Sequence, residues 1–195
     1  MEKLIAAKKE YQIISLLKED EFHKSYKCER NGKLYFVKVF LDAPSFQADA
    51  SNHKILKKYG INIPKLIKSN KKDLTNTYQF IDGDNVLQVI ARQELDEIYY
   101  EQLFHIYRFA RFSKIELDYH PENYVLYNNE LYYLSHNFIP QNQEKNLENF
   151  GIYFWFYSDE LAQYLKENNL PVDKKRILSK GEVNKKIVLT SIMKW

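Results

Sequence analysis

A chain of 195 residues is long enough for one domain with a real core or for two small lobes, and a content of 45% apolar and 15% aromatic residues excludes a disordered polymer. A net charge of +3 is small for a nucleic-acid binder, and the single cysteine, Cys28, excludes an internal disulfide and metal sites built on thiolates. No N-terminal leader and no apolar run of membrane-spanning length is visible, so no transmembrane segment is expected and the cytoplasm is the expected compartment.

The first third reads as strands. Residues 11–17, 22–29 and 34–41 are β-branched and apolar runs, and Asn31-Gly32 between the last two is a hairpin signal. Residues 45–59 read as a helix, with Pro44 ahead of it, Ser45 as its cap and Gly60 at its end. Two short apolar runs follow, 65–68 and 77–81, the second closing at Asp82-Gly83. From Asn85 the pattern turns helical. Leu95, Ile98, Tyr99, Leu103, Ile106 and Ala110 recur at helical spacing, which predicts one long half-buried helix over 93–112. Residues 115–123 are irregular, and the runs 124–127 and 131–134 flank Asn128-Asn129 as a second hairpin. Residues 146–165 read as helical, with Gly151 inside and an aromatic run at 153–157. The stretch 171–195 carries seven basic residues against Asp173 and Glu182, read as the solvated face of a helix rather than a nucleic-acid or membrane patch.

Strands first and helices later predict an α+β chain of two lobes, 1–81 rich in strands and 82–195 mainly helical, with a ligand cleft between them.

The chemistry-bearing segment is Leu117-Asp118-Tyr119-His120-Pro121-Glu122-Asn123, after the long helix and before the second hairpin. A carboxylate there can accept or orient the proton of a hydroxyl nucleophile. An amide oxygen five residues on can bind Mg2+. Taken alone, the same residues also make an ordinary capped turn.

In this segment the chain resembles the protein-kinase-like superfamily, whose catalytic loop reads Asp-x-x-x-x-Asn, often with Pro-Glu before the Asn. Tyr35-Phe36-Val37-Lys38 resembles the family's third-strand lysine motif, and Tyr78-Gln79-Phe80-Ile81-Asp82-Gly83 resembles its hinge. Residues 146–155 resemble the central helix of the large lobe. The resemblance covers roughly residues 10–165. It implies a single two-lobed kinase-like domain with a truncated C-terminal lobe, and ATP with Mg2+ or Mn2+ as cofactors. Asp118 would be the catalytic base and Asn123 a metal ligand. Lys38 would hold the α- and β-phosphates, and the backbone of Gln79 and Ile81 would hold adenine.

The departures are specific. No glycine lies in 18–27, where the family has its glycine-rich loop. Phe36 stands where a small residue is usual. The helix carboxylate that pairs with the strand lysine aligns with Asn52, leaving Asp49, one turn earlier on the same face, as its substitute. Glu116-Leu117 replaces His-Arg, and His120 replaces the catalytic-loop lysine. Ser135-His136-Asn137 stands at the metal-binding Asp-Phe-Gly, so His136 or Asn137 would have to reach the metal in place of a carboxylate. The segment 138–145 leaves little room for an activation loop. Two functions follow from the resemblance: transfer of a phosphoryl group to a hydroxyl on a protein, sugar or other small-molecule acceptor, or an impaired pseudokinase kept as a binding module. A third, an unrelated nucleic-acid-binding domain, lacks a recognition motif.

Overall fold

Alternating side chains and tight polar turns build the first part of the molecule. The computed structural model describes residues 2–192; Lys194, the last of the C-terminal basic residues, lies outside them. The strands are β1 (Lys3–Ala6), β2 (Lys9–Glu19), β3 (His23–Arg30), β4 (Lys33–Phe40), β5 (Leu66–Asn70) and β6 (Thr75–Gln79). They pair antiparallel in the order β1-β2-β3-β4-β6-β5. On one face Ala6, Tyr11, Cys28 and Val37 form a core flanked by Tyr35 and Val39. The alternate residues of β4, Phe36, Lys38 and Phe40, meet the other face. There helix α1 (Ala43–Lys58) lies across β4 and β6, and Phe40 packs edge-on against Phe46.

Helix α1 starts two residues before the expected Ser45, because Asp42 is its cap. The Ser45 N–H donates to Asp42 Oδ1 at 2.7 Å and its hydroxyl to Oδ2 at 3.0 Å.

The rest of the chain is β7 (Asp84–Asn85), α2 (Val86–Arg92), α3 (Glu97–Phe112), β8 (Ile115–Leu117), β9 (Tyr124–Tyr127), β10 (Glu130–Tyr133), β11 (Phe138–Pro140), α4 (Asp159–Glu167) and α5 (Lys180–Ile192). One small sheet runs β10-β9-β7 and another pairs β11 with β8. The fold is α+β. Its contacts divide into two compact units: the chain up to Lys58 with Asn62–Asp82, and Tyr59–Ile61 with the chain from Gly83 on. Among the described residues no helix is long and apolar enough to cross a membrane.

Three expectations are corrected here. The helix expected over 93–112 begins four residues later, as α3, and a separate helix, α2, precedes it over 86–92. Asn85 caps α2 through its side-chain oxygen, which accepts from Leu87 N and Gln88 N, and the chain is extended at Gln93. The guanidinium of Arg176 takes the carbonyls of Ile90 at 3.0 Å and Ala91 at 2.9 Å, satisfying the end of α2 from a distant segment. The helix expected over 146–165 is a 3-10 turn, Gly151–Phe154, followed by α4 with Ser158 as cap. Ile152, Phe154, Trp155, Phe156 and Tyr157 are all buried, which a helix with one core-facing stripe does not allow. Residues 115–117, expected to be irregular, form β8, buried at every position and paired with β11.

Candidate functional site

The residues singled out by the sequence gather in two places, one in each unit. In the first, strand alternation aims Lys38 at α1. Its ammonium donates to Asp49 Oδ1 at 2.7 Å, with both side chains almost fully buried. A buried ion pair is tolerable only when its remaining valences are met. Asp49 Oδ2 accepts Asn76 Nδ2 at 2.7 Å and also the Tyr78 hydroxyl. The cross-strand pairs Phe36/Tyr78 and Lys38/Asn76 place all four groups on one face of the sheet, and the ammonium sits 5.6 and 5.9 Å from the Phe36 and Tyr78 ring centres. Burial, then the Asp49 charge, pushes the Tyr78 phenol far up, so it stays a donor. Asn52 is only half-buried; Asp49 is the carboxylate that Lys38 reaches.

The β2–β3 turn is closed by its own carboxylate. Asp20 Oδ1 accepts the N–H groups of Phe22 and His23, each at 2.9 Å, and His23 Nδ1 lies 3.0 Å away. Burial opposes the Asp20 charge, but those two N–H bonds and His23 outweigh it and hold the carboxyl below its ordinary range. Two amide donors of this turn are therefore spent. At the end of β6, the Gln79 N–H is taken by Lys65 O at 2.9 Å. Ile81 follows in irregular chain with its side chain buried. Lys27 holds this segment through Asp82 Oδ1 at 3.4 Å and the Phe80 ring at 4.4 Å.

In the second unit the turn after β8 is anchored by Tyr119. Its ring is buried, its hydroxyl donates to Glu116 at 3.3 Å, and its carbonyl accepts the Trp155 indole N–H at 2.7 Å. Gly151 packs directly beneath: a Cβ there would stand 2.5 Å from the Tyr119 Cβ. With Tyr119 held inward, Asp118 is exposed. Its Oδ1 accepts the His120 N–H at 3.2 Å, leaving Oδ2 without a hydrogen-bond partner among the described residues. Pro121–Asn123 form one 3-10 turn, closed by the Asn123 N–H on His120 O at 2.9 Å.

Tyr133 ties this turn to the segment after β10. It accepts the Asp118 N–H at 3.2 Å and donates to Asn137 O at 2.7 Å. Leu134 N donates to Asn123 O at 2.8 Å, and the Ser135 hydroxyl oxygen accepts the Asn137 N–H at 3.2 Å. Asp118, Asn123 and the 135–137 segment thus belong to one local construction. The His120 ring lies between Phe154 and Tyr164, at 4.2 and 4.7 Å, and Tyr164 donates to Glu122.

Three buried polar atoms of this turn, His120 Nδ1, Asn123 Nδ2 and Tyr124 Oη, have no hydrogen-bond partner among the described residues. Such groups carry a desolvation cost of about 1–3 kcal/mol each unless something else meets them. The Asn123 amide is the informative one, since a half-turn of its end group puts an oxygen in place of the nitrogen. Mg2+ binds through one or two carboxylates with phosphates and water, and Asp118 Oδ2 with Asn123 supplies one carboxylate and one amide. His136 is fully buried, and among the described residues no three His, Cys, Asp or Glu side chains gather as a metal group. Asn123, in the same turn as Asp118, is the group that could hold a cation here. Ser135, engaged with Asn137, adds no carboxylate.

Sequence reasoning missed Tyr133, Trp155 and Tyr164, the side chains that hold this turn. Tyr133 and Trp155 belong to aromatic runs whose inward members only the fold selects, and Tyr164 stands alone on α4. The chain matches no known protein-family model and no curated protein sequence.

Proposed function

We propose that the chain is a kinase-like phosphotransferase that binds ATP with Mg2+ or Mn2+ and moves a phosphoryl group to a hydroxyl on a protein or small-molecule acceptor. The reading is carried by the 118–123 turn: an exposed carboxylate oriented by the His120 N–H, five residues from Asn123, whose buried Nδ2 has no hydrogen-bond partner among the described residues. Asp118 Oδ2 is the atom that takes the acceptor's hydroxyl proton, while the bond to Oδ1 keeps the group turned outward. Asn123 would hold the cation, and Lys38, oriented by Asp49, would meet the α- and β-phosphates. The carbonyl of Gln79 and the backbone of Ile81 are left for adenine, since the Gln79 N–H is spent on Lys65. When bound, ATP supplies the phosphoryl group and the cation offsets its charge.

A second reading, a pseudokinase acting as a binding module, is favoured by two observations: Asp20 occupies the turn amides, and Ser135 stands where a second carboxylate would be.

Thermal-shift titration with ATP, with and without Mg2+ or Mn2+, combined with radiolabelled phosphate transfer, tests both readings. The enzyme reading expects metal-dependent stabilisation, weakened by Lys38→Ala in a folded variant, and transfer abolished by Asp118→Asn with ATP binding retained. ATP binding indifferent to metal, with no transfer, selects the binding module. No binding of ATP removes the enzyme reading.

A further inference from the structure

A cavity of about 420 Å3 lies wholly within the second unit, where the end of α2, the start of α3, the 155–157 run and the 175–178 segment meet. That is within the size range of small-molecule sites, which combine apolar walls with a few placed polar groups. Ile90, Leu95, Tyr100, Trp155 and Phe156 supply the walls. Tyr100 and Phe156 stack at 4.7 Å with planes 12° apart, presenting flat aromatic surface.

The charges at its edge sort by what already engages them. Lys186 is held by Glu94 at 2.7 Å. Arg176 gives two N–H groups to the α2 carbonyls and lies over the Tyr157 ring at 4.4 Å, so its positive charge faces no carboxylate at contact distance. Lys175 is exposed and its ammonium has no partner among the described residues. Glu97 sits in the first turn of α3, where the helix dipole accommodates its negative charge. Glu94 also attracts Arg176, so Lys175 is the cation beside the aromatic wall with no carboxylate partner among the described residues.

We infer that this cavity is a binding site for a small organic anion with a flat apolar body, its carboxylate, sulfonate or phosphate head on Lys175 and Arg176 and its body against Leu95, Tyr100 and Phe156. The inference is independent of the phosphotransferase reading. The site also has a built-in reporter. Trp155 lines the cavity and is one of only two tryptophans; the other, Trp195, is removed by Trp195→Phe.

The test uses the full chain carrying Trp195→Phe, with 1-anilinonaphthalene-8-sulfonate as probe and N-phenyl-1-naphthylamine as its uncharged counterpart. The sulfonate should bind at one site per chain, change Trp155 fluorescence and bind at least about tenfold more tightly than the amine, one charge-assisted contact being of that order. Lys175→Glu, on an exposed side chain, should weaken the sulfonate by about three- to tenfold and leave the amine within about twofold. Leu178→Trp, which fills the cavity from a half-buried position, should weaken both. Failure of the sulfonate to bind, equal affinity for the two probes, or sulfonate binding indifferent to Lys175→Glu overturns the inference. If Leu178→Trp does not fold, the Lys175→Glu arm and the Trp155 signal decide.

Discussion

The Lys38 cluster and the 118–124 turn are both polar constructions set against aromatic side chains, yet they are built in opposite ways. Around Asp49 the polar groups answer one another: an ammonium, an amide and a phenol converge on one carboxylate, almost fully buried. Around Asp118 the backbone is fixed by Tyr119, Tyr133 and Trp155, but three buried polar atoms and one carboxylate oxygen are left without hydrogen bonds among the described residues. The Asp49 cluster leaves Asn76 Oδ1 without a hydrogen-bond partner among the described residues but pairs its charges, so it contributes stability and specifies which face of β4 meets α1. A rigid turn with unspent donors and acceptors gives up stability and keeps valences for a ligand. The contrast separates Asp49, whose loss should unfold the protein, from Asp118, whose loss should only silence it.

The sharpest break of that contrast is Asp49→Ala. It strands a buried ammonium together with the Asn76 amide and the Tyr78 hydroxyl, and a loss of about 3–5 kcal/mol is expected by urea denaturation followed by circular dichroism. A loss under about 1 kcal/mol would mean the cluster is looser than its geometry. Gly151→Ala comes next. Its Cβ would meet Tyr119 at 2.5 Å, and overpacking of this kind costs about 1–3 kcal/mol. Thermal unfolding measures the cost, and the phosphate-transfer assay should show a larger relative drop than for a surface variant of equal stability, because Tyr119 carries Asp118.

Glu116 provides a pH test. Burial raises its carboxyl above the ordinary 4.5, against the opposing bonds from Tyr119 and Asn142. A raised folded value means that the folded state holds the proton more tightly than the unfolded state. Glu116 therefore contributes stability that is full below the unfolded value and is lost as pH rises through the folded one. The difference in unfolding free energy between wild type and Glu116→Gln should move in the variant's favour from about pH 4 to about pH 7. A difference that is flat with pH, or that moves the other way, would show that the Tyr119 and Asn142 bonds outweigh burial.

The smallest expected effect on stability is at Asp118. Asp118→Asn should change unfolding free energy by no more than about 0.5 kcal/mol, as for an exposed side chain with one local bond, while abolishing transfer. A large destabilisation would make Asp118 a structural cap and remove it from the chemistry.

What the sequence determined by itself is local. Asn31-Gly32 and Asn128-Asn129 announce hairpins because their residues tolerate positive φ, and the structure holds them at 53°, 72°, 52° and 61°. Alternation in β4 is enough to put Lys38 and Val37 on opposite faces, and the extent of α1 follows from its flanking Pro44, Ser45 and Gly60 to within two residues. The candidate site was legible to the same degree: Asp118 and Asn123 share one turn because five residues separate them, whatever the rest of the chain does.

Tertiary structure decided the remainder, wherever a backbone or polar group is satisfied from far along the chain. The turn at Ala7 and Lys8 has positive φ without glycine or asparagine, and Asp73, 66 residues away, accepts the Ala7 N–H. Helix α2 ends where Arg176 takes its carbonyls across 85 and 86 residues. The 3-10 turn at Gly151 follows from the closeness of Tyr119. Which atoms of the 118–124 turn stay unpaired was likewise beyond the sequence, because being unpaired is a property of the whole surrounding packing. Local chemistry determines period and turn; only the assembled chain determines which donor meets which acceptor.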